Sequence, residues 1–121
     1  MSSAVLLIAH GSRRPEANAD LNIAAERLRK RLDGWIVETA YLELAEPTIP
    51  RGLERCGERG ATRIHMLPYF LSAGSHVADD LRGFRDEFAQ RRPELQVQLC
   101  PPIGLHPLMT EILLDRLPEA I

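Results

Sequence analysis

Short apolar runs alternate with helix-period segments along all 121 residues, and no other feature constrains the fold as strongly. Val5-Leu6-Leu7-Ile8-Ala9 is apolar at every position. A half-exposed strand would alternate, so this run suits a strand covered on both faces. Pro15 opens a helical segment, where its missing N–H costs nothing. Leu21, Ala24, Ala25, Leu28 and Leu32 follow at helical spacing, and Asp33-Gly34 closes the segment. Residues 35–42 read as a second strand, with Val37, Thr39 and Tyr41 on one face. A second helix is expected over about 47–59, stopped by Gly60 and weakened inside by Gly52 and Gly57. Residues 62–70 read as a third strand that bends near Pro68. Ser75 is the expected N-cap of a third helix, one face of which carries Val77, Leu81, Phe84 and Phe88. Residues 95–100 alternate Leu95, Val97 and Leu99 with Gln96 and Gln98, the pattern of a half-exposed edge strand. A last helix starts near Pro107 and carries Leu108, Ile112 and Leu113.

The order βαβαβαβα predicts an α/β fold, a four-stranded parallel sheet with helices on both faces. The length suits one domain over residues 1–121. In such sheets ligands bind outside the carboxyl ends of the strands, which turns the element order into a functional map.

Composition narrows the partners. Apolar residues make up 45% and charged residues 26%, as in soluble globular chains. A net charge of −2 supplies no basic field for nucleic acid. The longest early apolar run, residues 4–9, falls far short of the roughly 20 residues that span a membrane, and no signal peptide is seen. Cys56 and Cys100 form no C-x-x-C or zinc pattern and read as reduced, partly buried thiols of a cytoplasmic protein. Of the 15 basic residues only Lys30 is a lysine. Genomic base composition accounts for such a bias, while individual arginines near a site would still pair with anions.

Three of the four histidines fall at the expected ligand edge. Strand one ends at His10-Gly11-Ser12-Arg13-Arg14, strand two runs into Glu43 with Glu46 beyond, strand three is followed by 72–76, and strand four by 101–106. His65 lies inside a strand and reads as a structural histidine, and His106 stands between a structural role and support of the site. His10 and His76 each sit beside glycine and serine, where backbone approaches closely and the imidazole is uncrowded. Neutral imidazole binds cobalt, iron, nickel and zinc. Glu43 would add a carboxylate, and two histidines with one carboxylate suit a reactive metal site with open positions. Arg13, Arg14 and Arg82 read equally as solvated charge or as a rim for substrate carboxylates, with Ser12 and Ser75 as further substrate-binding candidates.

The segments 9–12 (Ala-His-Gly-Ser), 41–47 (Tyr-Leu-Glu-Leu-Ala-Glu-Pro), 67–71 (Leu-Pro-Tyr-Phe-Leu) and 74–80 (Gly-Ser-His-Val-Ala-Asp-Asp) occur in an order and spacing that resemble the CbiX/SirB family of class II sirohydrochlorin chelatases. The resemblance runs from about residue 5 to residue 113. It implies a chelatase-like three-layer αβα fold. It implies insertion of a divalent metal (cobalt, iron or nickel) into sirohydrochlorin, for cobalamin, sirohaem or a related tetrapyrrole. His10 and His76 match the family's metal-binding, proton-accepting histidines and Glu43 its acidic partner, with the role of Glu46 less defined. The metal is then a substrate and no permanent cofactor is implied. A single lobe resembles the short form, which implies a homodimer.

Three rivals remain. A module that binds metal or tetrapyrrole without turnover would use the same histidines. A histidine phosphatase needs an arginine before the histidine, where this chain has Ala9. A serine hydrolase is weaker still, because Ser12 and Ser75 lie in no G-x-S-x-G elbow.

Overall fold

The computed structural model describes residues 2–119. Eight elements alternate as expected: β1 (Ser3–Ala9), α1 (Pro15–Arg29), β2 (Ile36–Tyr41), α2 (Ile49–Glu58), β3 (Arg63–Pro68), α3 (Ser75–Arg91), β4 (Gln96–Leu99) and α4 (Leu108–Arg116). All strand pairs are parallel, in the order β2-β1-β3-β4. The all-apolar strand β1 is therefore central, and its residues 4–8 are buried. β4 is an edge strand with exposed Gln96 and Gln98, as its alternation predicts.

Side chains alternate across the sheet, so β1 feeds two cores. Leu6 and Ile8 join Ala40, Ile49, Leu53, Ile64, Met66, Leu81 and Phe88 beneath α2 and α3. Leu7 joins Leu21, Ala25, Val37 and Tyr41 beneath α1. The interior glycine of α2 has a packing cause: a Cβ on Gly52 would lie 2.7 Å from Leu6 Cδ1 and 2.9 Å from Ala40 Cβ. The missing methyl lets the helix settle against the sheet, which outweighs glycine's weak helix propensity.

Several boundaries differ from the sequence expectation. α1 ends at Arg29, and Leu32 lies in the following turn rather than the helix. α2 starts later, with Thr48 as its N-cap accepting the Arg51 N–H at 3.3 Å. Ser75 is not the N-cap of α3. Gly74 holds that place in extended backbone, with no side-chain cap. β3 ends at Pro68, which has no N–H to offer β4, although the Tyr69 N–H still donates to the Ile8 carbonyl at 2.6 Å. The largest departure is α4, in which no residue is buried. Leu108, Ile112, Leu113 and Leu114 all stand exposed, so among the described helices α1 covers its face of the sheet without help from α4. Beside α1 this leaves an apolar cavity of about 480 Å³, lined by Leu7, Ala24, Leu28, Leu67, Cys100 and Ile103 among others.

No described helix is long and apolar enough to cross a membrane. Both cysteines are free, Cys56 buried and Cys100 half-buried. His65 stacks on Trp35 with ring centroids 5.5 Å apart, in keeping with the structural role expected for it.

Candidate functional site

At the carboxyl edge of β1 and β2 the two strands continue to bond beyond their last paired residues, Ala9 and Tyr41. The Leu42 N–H donates to the Ala9 carbonyl at 2.9 Å and the Glu43 N–H to the His10 carbonyl at 3.0 Å. This extension sets His10 beside Glu43. His10 Nε2 lies 3.7 Å from Glu43 Oε1, and the side chains are 56% and 58% exposed. That separation is too long for a hydrogen bond, so neither group is consumed by the other. Both remain open to a ligand arriving from solvent. Phe70, just after β3, sets its ring nearly perpendicular to His10, at 80° with centroids 6.2 Å apart. It forms an apolar wall on one side of the imidazole.

Such close passage of the two loops requires Gly11. Its φ is +100°, and a Cβ there would lie 1.7 Å from the Glu43 carbonyl oxygen. Two further residues brace the same corner. The Asn18 side chain bonds both the N–H and the carbonyl of Ser12, and the Tyr41 hydroxyl donates to the Asn18 carbonyl at 2.8 Å. Burial pushes the Tyr41 phenol above its ordinary value, which keeps the proton that this bond needs. Sequence reading missed Asn18. The signal available was an amide side chain in the first turn of a helix, within reach of the loop that precedes it.

His76 is the second residue of α3, exposed, on the segment that follows β3, the strand next to β1. It thus shares the sheet edge with His10. The convergence expected from sequence goes further than the geometry, because among the described residues no three His, Cys, Asp or Glu side chains gather into a metal-holding set. Among the described residues, His10 and Glu43 are the members of the expected set that stand together. Exposed side chains at loop ends have no packing to impose one orientation, so proximity along the edge does not by itself bring donor atoms together.

The remaining candidates divide. Ser12 is half-buried, and its Oγ accepts the Arg14 N–H at 3.0 Å. Arg14 Nε lies 3.2 Å from Glu16, and Arg82 pairs with Asp79 one turn back on α3. Exposed pairs of this kind contribute little. Arg13, Ser75 and Glu46 are exposed. His106 supports the backbone, because its Nδ1 accepts the Leu108 N–H at 3.1 Å at the start of α4. An exposed histidine beside a carboxylate at a parallel sheet's carboxyl edge can bind a cation and accept a proton.

The CbiX family model matches residues 4–120. The chain is 40% identical over 117 residues to the sirohydrochlorin ferrochelatase of Priestia megaterium, an alignment that covers 96% of this chain and 44% of that protein. The sirohydrochlorin cobaltochelatase of Methanopyrus kandleri is 28% identical over 138 residues, covering 98% of this chain and 96% of that one. Among solved structures, the sirohydrochlorin chelatase SirB from Bacillus subtilis subspecies spizizenii, in complex with cobalt, superposes with a TM-score of 0.88 at 30% identity. That superposition covers 96% of this chain and 50% of SirB. The chain thus spans about half the length of the first curated relatives it matches, with shares of 44%, 52% and 39%.

Proposed function

The chain belongs to the CbiX family, and from that premise we propose that it is a sirohydrochlorin chelatase, a lyase-class enzyme that inserts a divalent metal into the tetrapyrrole. The single observation that carries this reading is the exposed His10–Glu43 pair, 3.7 Å apart at the sheet's carboxyl edge. Relatives named as ferrochelatases and cobaltochelatases support iron or cobalt as the metal, and nickel suits the same donors.

Insertion requires that pyrrole N–H protons leave, that the metal shed water stepwise, and that a nitrogen lone pair meet the ion. In this reading His10 and Glu43 take the hydrated metal from solvent. A neutral imidazole also accepts a proton near neutral pH, so His10 is assigned the pyrrole proton once the macrocycle has taken the metal. His76 is assigned to the same sheet edge as a second metal ligand and proton acceptor, its exposed place at the start of α3 leaving it free to turn towards His10 when metal and macrocycle arrive. Two imidazoles and one carboxylate bind the ion firmly enough to collect it and leave positions open through which it can be passed on. Phe70 offers an apolar surface to the macrocycle, and Arg13, Arg14 and Arg82 pair with its carboxylates. The metal is a substrate throughout.

Two further assignments complete the reading. Residues 1–121 act as one chelatase lobe in the cytoplasm, and the lobe works as a homodimer. What supports the dimer is the unburied apolar α4 and the apolar cavity beside α1, in a chain that matches about half of a longer relative. Contiguous exposed apolar side chains mark association surfaces. Light scattering should return twice the mass of one chain, and Ile112→Asp should return one. A monomeric wild-type chain rejects the assignment.

The central test is incubation of protein, Co²⁺ and sirohydrochlorin, followed by absorbance. His10→Ala, His76→Ala and Glu43→Gln should each lower the rate about 10²-fold, the usual scale for loss of a proton-transfer group. A wild-type protein that binds cobalt without raising the insertion rate would be a carrier. Unchanged rates in both histidine variants end the mechanism.

A further inference from the structure

The His10–Glu43 pair exists only while two loops stay together; the Glu43–His10 and Leu42–Ala9 backbone bonds join them, and one side chain outside the pair braces the loop that follows His10. Asn18 lies in the first turns of α1, six residues beyond Ser12. Its Oδ1 accepts the Ser12 N–H at 2.9 Å, and its Nδ2 donates to the Ser12 carbonyl at 2.7 Å. One amide thereby satisfies both backbone groups of Ser12. An aspartate there would lack the donor, and a glutamine would be one methylene too long for the same geometry. The backbone carbonyl of Asn18 accepts the Tyr41 hydroxyl at 2.8 Å. Tyr41 is buried, closes β2, and stands two residues before Glu43. Asn18 therefore ties the segment after His10 to the strand that delivers Glu43.

The loop between needs such a tie. Gly11, next to His10, has a φ of +100°, and glycine leaves one conformation for others at little cost. Without the Asn18 amide, Ser12 loses both of its bonds, and the loop gains freedom directly after His10, whose carbonyl still accepts the Glu43 N–H. Precise placement of reacting groups contributes strongly to rate, and small misplacements are expensive.

We propose that Asn18 is a positioning residue that sets the geometry of the His10–Glu43 pair, an inference that rests on the metal-site reading above for its catalytic consequence. Its side chain acts through Ser12, while its backbone carbonyl, which any substitution keeps, receives the Tyr41 hydroxyl.

The experiment compares the wild-type chain with Asn18→Ala, Asn18→Asp and, as a control for lost stability, the core variant Ile64→Val. Amide hydrogen exchange reads the tie directly. Asn18→Ala should speed exchange about tenfold at the Ser12 amide and at the Glu43 amide, which is bonded to His10 rather than to Asn18. The kcat for cobalt insertion should fall about tenfold, while KM for sirohydrochlorin stays within about twofold. Asn18→Asp, which keeps the acceptor, should fall between the two. Unchanged exchange at Glu43 in Asn18→Ala overturns the proposal, as does an equal loss of kcat in Ile64→Val at matched Tm. Should the wild-type chain insert no metal, the chelatase reading fails, and Glu43 exchange alone decides whether Asn18 positions the pair.

Discussion

Replacing Gly11 with alanine drives a methyl group into the backbone of the neighbouring loop. The built Cβ lies 1.7 Å from the Glu43 carbonyl oxygen and 2.9 Å from its carbonyl carbon. The obstacle is main chain, which moves only by releasing the Glu43–His10 and Leu42–Ala9 hydrogen bonds. Two such bonds contribute about 1 kcal/mol each. The left-handed backbone, φ +100°, costs alanine about 1–2 kcal/mol more. The sum is about 3–4 kcal/mol, a large share of the roughly 5–15 kcal/mol that a domain has in total. At about 4 °C per kcal/mol for a chain of this size, Tm should drop by about 12–16 °C. Gly34→Ala is the matched control. Its φ is +79° with nothing within 4 Å of the built Cβ, so it bears only the conformational cost of about 1–2 kcal/mol. Urea unfolding followed by far-ultraviolet circular dichroism measures both. If Gly11→Ala costs no more than Gly34→Ala, the approach of the two loops carries no energy and the account of this corner is wrong.

Other expectations follow from the same structure. Gly52→Ala should destabilise by about 1–3 kcal/mol in urea even though alanine is the better helix former, because its methyl meets Leu6 and Ala40; a more stable variant would contradict the packing described. Burial first, with the Glu38 charge adding and Arg59 opposing, pushes the Cys56 thiol up to about 12. At pH 8 a thiol reagent should therefore modify Cys100 well before Cys56, and equal rates would refute the burial argument. The sign of the linkage is also determined. Above the ordinary thiol value of 9.0 the unfolded chain loses the Cys56 proton while the fold retains it. Stability from this group should be intact below pH 9 and decline towards about pH 12. His106→Ala removes the acceptor of the Leu108 N–H and should speed amide exchange at the start of α4 while Tm moves by no more than about 1–2 °C, since no residue of α4 is buried.

Much of this was legible from the chain alone because it depends on local patterns. An apolar run with no alternation marked β1 as a strand covered on both faces, and alternating Gln96, Val97 and Gln98 marked β4 as an edge. Together with the parallel-sheet rule, these patterns pointed to His10 and Glu43 without knowledge of the fold. Element ends were read less well. The N-cap of α3 falls on Gly74 rather than Ser75, since a serine one residue inside a helix looks the same in sequence as a capping serine.

The four-stranded α/β architecture, the burial of β1 on both faces and the loops on which the reactive side chains sit follow from hydrophobic period and turn residues, which act within a few positions of each other along the chain. The meeting of His10 with Glu43, the Asn18–Ser12–Tyr41 tie, the need for glycine at 11 and 52 and the bare face of α4 were decided only in three dimensions. Each of these depends on atoms from separate elements approaching within a few ångströms, and periodicity along a chain carries no record of such distances.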